Sequence, residues 1–292
     1  MRSISYKGAG RLRGTLDVGR DAMNHASDVP GVRFQRRASL PGVEFMWTDG
    51  QPRAWSVFHE RYAIAVSLGG EADWFYRRRE FHGRPGCLSM MEPGESHRTG
   101  RIGQRVFVAF IDPERVAHAA MAAGARRSVV HLGRPQTEHP GSDRLFVALA
   151  RALLGDDEGP SAEELTAVCL QDLVQTYAED PATRPAPCSR AVHRARTRLE
   201  DDLDQNIPLE DLAREARVTP FHLIRSFRAA TGLTPHQYVI QRRLARARAL
   251  LREGCSATEV AHAVGFGDQS HLHRHFKRVM GLTPGQYARA TR

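Results

Sequence analysis

The chain has 292 residues, 41% hydrophobic and 26% charged, which fits two globular domains and excludes a disordered, fibrous or disulfide-framed chain. No run of about 18 apolar residues is present and the basic N-terminus lacks the apolar core of a secretory signal, so a cytoplasmic protein with no membrane partner is expected. The net charge of +9 is uneven: residues 205–292 carry 14 Lys or Arg against 6 Asp or Glu, an imbalance that points to a polyanion, nucleic acid first.

Residues 1–30 are rich in Gly, Arg and Asp without periodicity and are predicted to be a loose tail, with translation starting at Met1 or Met23. A first domain is expected over residues 31–180. From Gly31 to Leu132 short apolar runs alternate with Pro/Gly turns, the pattern of a β-sandwich or small barrel. Tyr62, Ile64, Val66 and Leu68 alternate, Gly69-Gly70 signals a turn, and Ala72, Trp74 and Tyr76 resume the period of two, which predicts a hairpin. Leu145, Leu149 and Leu153 then predict a helix over 142–154. A second helix starts at Ser161, which forms a capping box with Glu164. Its Leu165, Val168, Leu173 and Val174 give an apolar face to cover the sheet or to pair with a second copy as a homodimer. Pro181, Pro185 and Pro187 interrupt helix and set a linker at 181–190. The cysteines at 87, 169, 188 and 255 lack CxxC or zinc-finger spacing, so free thiols are expected.

Residues 191–292 read as helix throughout and contain a repeat. Residues 222–238 (HLIRSFRAATGLTPHQY) match 271–287 (HLHRHFKRVMGLTPGQY) at 10 of 17 positions, where composition alone gives roughly one. Upstream, Leu212-Ala213, Ala216 and Val218 match Val260-Ala261, Val264 and Phe266, so the segment is a duplicated helix-turn-helix. In the first unit Thr219-Pro220 starts a helix whose Leu223 and Phe227 face inward, leaving Phe221, Ile224, Arg225 and Arg228 to the outer side. In the second, Asp268 caps a helix with Leu272 and Phe276 inward. Ser270, Arg274 and Lys277 lie on the outer face, with Gln269 and His271 near the N-terminus. Arginine suits guanine edges, and Phe and Ile suit thymine methyls. Solvated surface charge is the plain alternative for Arg225 and Arg274, but their equivalent places in duplicated units favour DNA. A helix over about 235–253 joins the units. At 1.5 Å per residue it spans about 28 Å, near the roughly 34 Å between successive major-groove faces. Its Ile240, Leu244, Ala247 and Leu251 form a buried stripe, and Arg242, Arg243, Arg246 and Arg248 are expected to meet phosphates.

The stretch GFGDQSHLHRHFKRVMGLTPGQY, Gly265 to Tyr287, resembles the C-terminal signature of the AraC/XylS family of transcription regulators, with Leu272 where many members carry Phe. The resemblance covers about residues 192–289. It implies base contacts by Phe221, Ile224 and Arg225 and by Gln269, Ser270, His271 and Arg274, on double-stranded DNA over two adjacent major grooves, and it implies RNA polymerase as a partner. More weakly, PGCLSMMEPGESH, Pro85 to His97, resembles the proline-glycine loop of the cupin-like effector domain of such regulators. The implied fold is α+β, with an N-terminal cupin-like β-barrel, flanking helices, and a C-terminal all-α domain of two helix-turn-helix units joined by a linker helix. A small-molecule effector is then expected within residues 55–112, lined by Trp74, Tyr76, His82 and His97, which makes the chain a ligand-responsive regulator, with activation as the expected sign.

Two other readings stay open on the sequence: a constitutive regulator whose barrel only oligomerises, and a cupin metalloenzyme with a DNA-binding tail. His59-Glu60, His82 and His97 include no His-x-His pair, and His271 with His275 lacks a third ligand at sensible spacing. No GxSxG, HExxH, P-loop or dinucleotide motif occurs, so no catalytic residue, cofactor or metal is expected.

Overall fold

The computed structural model describes residues 32–51, 55–125, 130–137, 141–155, 159–179 and 189–291. The expected tail at 1–30 and the linker residues 181–188 lie outside the described residues. The first half opens with eight strands: β1 (Val32–Gln35), β2 (Val43–Gln51), β3 (Trp55–Phe58), β4 (Tyr62–Gly69), β5 (Ala72–Tyr76), β6 (Arg79–Gly83), β7 (Leu88–Met91) and β8 (Ser96–Ile111). Then come α1 (Pro113–Ala122), β9 (His131–Leu132), β10 (Gln136–Thr137), α2 (Ser142–Leu154), α3 (Ala162–Tyr177) and β11 (Ala178–Glu179).

The 16-residue β8 organises the antiparallel sheet, whose main path is β1-β2-β8-β4-β7-β10. One stretch of β8 pairs with β2 and β4, and the stretch before it with β3 and β5. Strand alternation sends successive side chains to opposite faces. On the outer face Phe45, Ile64, Val66, Phe107 and Ala109 pack with Phe146 and Leu149 of α2 and Leu165 and Leu173 of α3. On the inner face Val32, Phe34, Trp74, Val108 and Phe110 share a second core with the C-terminal half.

Two sequence expectations change here. The predicted hairpin between 62–68 and 72–76 does not form, because β4 and β5 each pair with β8, one after the other along its length. The hairpin partner of β5 is β6, joined by Arg77-Arg78. Both turn residues have positive φ, 48° and 64°, as a two-residue type I′ turn requires, although this turn usually draws Asn and Gly. Arg77 is tied down by Glu92 at 2.6 Å and Glu95 at 3.0 Å, which helps offset the left-handed backbone. The helices over 142–154 and from Ser161 form as expected, and the Ser161–Glu164 capping box is present. Val168, however, is 46% exposed and faces away from the core that takes Leu165, Leu173 and Val174.

The C-terminal half comprises α4 (Arg190–Asp201), α5 (Leu209–Ala216), α6 (Pro220–Thr231), α7 (Pro235–Arg252), α8 (Ala257–Ala263), α9 (Gln269–Met280) and α10 (Pro284–Thr291). The repeat has a local cause at several of its shared positions. Gly232 and Gly281 end α6 and α9 with left-handed φ of 77° and 74°. Thr234 with Gln237, and Thr283 with Gln286, form reciprocal caps on α7 and α10. Phe227 meets Tyr238 edge-on at 5.4 Å, and Phe276 meets Tyr287 at 5.5 Å. Gly265 has φ +82°, and an added Cβ would lie 2.3 Å from the Asp204 carbonyl oxygen, so the second turn admits no side chain.

Candidate nucleic-acid interface and adjoining cavity

Leu223 and Phe227 lock α6 into the first helix-turn-helix core, and Leu272 and Phe276 lock α9 into the second; all four are buried. That fixes which side each helix turns outward. On α6, Phe221 is 75% exposed, a high value for a large aromatic, with Arg225 and Arg228 exposed and Ile224 half-buried. On α9, Gln269, Ser270, Arg274 and Lys277 are exposed. His271 is half-buried and engaged instead: its Nε2 lies 3.0 Å from Nε2 of His275, and its ring meets Phe266 edge-on. Burial and the nearby Arg278 push His275 down to about 4, so at neutral pH this pair is uncharged at that member.

The linker helix departs from expectation at three of its four arginines. Arg243 is buried: its Nε donates to the Leu203 carbonyl at 2.7 Å, Nη1 to Gly265 at 2.6 Å, and Nη2 to Gln205 at 2.9 Å and to the Asn206 side chain. It clamps the loop before α5 to the turn before α9 and is not free for phosphate. Arg242 pairs with Glu60 of the first half, and Arg248 faces the interior. Arg246 is exposed.

The two halves meet through the duplicated tyrosines. Tyr238 packs edge-on against Phe58 at 5.1 Å, and Tyr287 against Phe34 at 5.5 Å. Ser96 adds a hydrogen bond to the Thr231 carbonyl at 2.6 Å. Tyr287 also donates to Glu44 at 2.9 Å, and Glu44, which has no exposed surface, pairs with Arg61 and lies 3.8 Å from Arg252. Burial alone would raise the Glu44 carboxyl; the charges of Arg61, Arg248 and Arg252 outweigh it and hold the group below the usual carboxylate range.

Between the halves lies a cavity of about 810 Å³, within the size range of sites for drug-sized ligands. Met46, Ala65, Trp74, Val108 and Phe110 of the sheet's inner face line it on one side. Leu244 and Arg248 of α7 and His273, Arg274 and Lys277 of α9 line it on the other. The face of α9 that carries Arg274 and Lys277 therefore borders the cavity, whereas no residue of α6 does.

Of the four residues expected to line an effector site, Trp74 and His97 border this cavity. Tyr76 and His82 do not. Tyr76 is buried, bonded through its hydroxyl to Glu95, and His82 is exposed and paired with Asp73 at 2.7 Å. The period of two put Trp74 and Tyr76 on one face correctly, but the cavity ends before Tyr76. His97 instead pairs with His59, Nδ1 to Nε2 at 2.8 Å with the rings stacked. Burial pushes His97 down to about 4, and burial with neighbouring positive charge pushes His59 well below its ordinary value, so both are neutral. Among the described residues no group of three metal-ligating side chains converges. The sequence reading missed His59, Phe110 and Arg248 as cavity residues; only the phase of β8 and the flank of the α7 stripe hinted at the last two.

A family model described as a helix-turn-helix domain matches residues 212–290, and one described as an AraC-like ligand binding domain matches residues 49–174. The uncharacterized HTH-type transcriptional regulator YbfI of Bacillus subtilis is 26% identical over 220 residues, 74% of this chain and 80% of that protein. The HTH-type transcriptional activator RhaS of Klebsiella pneumoniae is 40% identical over 75 residues, 25% of this chain and 27% of the activator. An apo lysine-to-alanine variant of ToxT from Vibrio cholerae superposes with a TM-score of 0.54 at 14% identity, over 86% of this chain and 98% of that one. ToxT with a bound unsaturated fatty acid gives 0.51 at 12% identity, over 87% and 97%. At these identities the likeness is one of fold. No helix among the described residues is long and apolar enough to cross a membrane.

Proposed function

The chain belongs to the AraC family of DNA-binding transcription regulators, and from that premise we propose that α6 and α9 read two successive major grooves while a small molecule in the interdomain cavity sets the strength of binding. The observation that carries this reading is the cavity's construction. Its walls come from both the ligand-binding half and the helices that join and form the second helix-turn-helix unit. A ligand there has differential contact with any arrangement in which α9 moves from the sheet, which is the requirement for an effector.

The base-contacting set is Phe221, Ile224 and Arg225 on α6 and Gln269, Ser270, His271 and Arg274 on α9, with Arg228 and Lys277 beside them. RhaS is named an activator, and by likeness to it this chain activates transcription through contact with RNA polymerase in the cytoplasm. Pairing of two copies through α3, where Val168 is exposed, makes a homodimer on paired half-sites. Genome-wide occupancy followed by footprinting of the full chain, with and without metabolites drawn from the products of neighbouring genes, tests the proposal. Two protected major grooves per copy and a metabolite-dependent change in affinity are expected; protection of one groove, or affinity indifferent to every metabolite that fills the cavity, refutes it.

A further inference from the structure

Resting on the reading of the interdomain cavity as the effector site, the next question is the chemistry of what fills it. The sheet supplies an apolar floor of Met46, Val108 and Phe110 with Trp74 at one side. The charged groups at the boundary that are not exposed are nearly all matched; Arg274, Lys277 and Arg278 on the α9 side are exposed. Arg61 holds Glu44 and approaches Asp112, Arg242 holds Glu60 and approaches Glu200, and Arg252 reaches Glu44 and the Tyr287 hydroxyl. Arg248 is the exception. It lines the cavity one helical turn before Arg252, and among the described residues it has no hydrogen-bond or ion-pair partner. Glu44 and Glu60 act on it only from beyond ion-pair reach, and burial lowers its pKa from the ordinary arginine value. An arginine stays charged in a protein, so a half-buried positive charge with no hydrogen-bonded partner of its own faces the cavity beside an apolar wall.

The geometry points to an amphipathic monoanion as the ligand, with its apolar body on Met46, Val108, Phe110 and Trp74 and its carboxylate on the Arg248 guanidinium. The guanidinium fork suits a carboxylate with two parallel hydrogen bonds, and the neighbouring His59–His97 pair, neutral and joined by one N–H···N bond, keeps a single further ring N–H to offer. Arg248 belongs to α7, the helix that joins the two helix-turn-helix units, so the head group acts on the DNA-binding half directly.

The test uses two fluorescent probes on the full-length protein: anilinonaphthalene sulfonate, an apolar body with one anionic group, and phenylnaphthylamine, the same body without it. The sulfonate is expected to bind saturably at one site per chain, to be displaced by octanoate, and to resist octanol and octylamine. Arg248→Met should weaken the sulfonate about tenfold or more, as loss of a charge-assisted pair does, and leave the neutral probe within about twofold. Arg248→Lys should restore part of the sulfonate affinity. If the neutral probe binds and the sulfonate does not, or if Arg248→Met binds the sulfonate as the wild type does, the anionic class falls while the cavity reading stands. If neither probe binds, both fall.

Discussion

Replacing Arg243 by Met removes a side chain that the sequence places on a basic, phosphate-facing flank and the structure places inside. The guanidinium makes three hydrogen bonds of 2.6–2.9 Å to backbone carbonyls of two loops, at Leu203, Gln205 and Gly265. Hydrogen bonds from a charged donor are worth about 1.5–3 kcal/mol each, so the gross loss is large. Part returns, because Leu203 and Gly265 are only half-buried, Gln205 is exposed, water can reach their carbonyls, and burying the guanidinium is itself costly. A net loss of about 2–4 kcal/mol follows, or about 5–15 °C in Tm for a chain of this size. Thermal unfolding of the full chain measures the first part. DNA binding at several salt concentrations measures the second: the slope of log K against log salt should be unchanged, because no phosphate contact is lost. Arg246→Met on the same helix, where the side chain is exposed, should do the reverse, leaving Tm alone and reducing the slope by about one. An Arg243→Met protein with wild-type Tm and a shallower salt slope would refute the clamp.

Arg225→Ala and Arg274→Ala should each weaken specific binding by about 1–3 kcal/mol and relax base preference in different half-sites, read by binding curves on operator variants; equal loss on random DNA would assign both to phosphate. Tyr287→Phe removes the 2.9 Å bond to buried Glu44, which keeps Arg61, and should cost about 1–2 kcal/mol in the denaturant midpoint; no change would mean the bond is not made in solution. His97 is neutral in the fold down to about pH 4, whereas the unfolded chain protonates it near pH 6.5. The unfolded state therefore binds more protons in between. Its contribution is level above about pH 6.5 and lowers stability by up to about 3 kcal/mol as pH falls to 4, with His59 acting in the same direction. Denaturant titrations across that range should show a shallower decline for His97→Asn, and an unchanged slope would contradict the burial argument.

The helical half was the more legible because its signals are local. Capping pairs, the glycine stops and the Leu-Phe spacing of α6 and α9 each act within four residues, and the duplication displayed them twice. The outward side of each recognition helix follows from that spacing alone. The sheet was legible in its alternation and not in its pairing. Which strand lies beside β5 depends on β8, more than twenty residues downstream, and on an Arg-Arg turn stabilised by distant glutamates. The arginines of α7 show the same division. Periodicity gives the flank they occupy, but whether a flank meets phosphate, backbone carbonyls or a cavity is decided by elements far away in the chain.

The contact between Glu44 and Tyr287 bears on how freely the two halves of such regulators can be exchanged. A chimera that joins this N-terminal half to another DNA-binding half carries Glu44 with it, a carboxylate without exposed surface whose satisfaction comes partly from α10 and α7 of the present partner. A donor half with Phe at the position of Tyr287 supplies the ring that packs on Phe34 but not the hydroxyl that reaches Glu44. Swaps should thus succeed by a rule that overall similarity does not convey: the graft needs a tyrosine at 287 and an arginine at 252, or a neutral residue at 44 introduced with it.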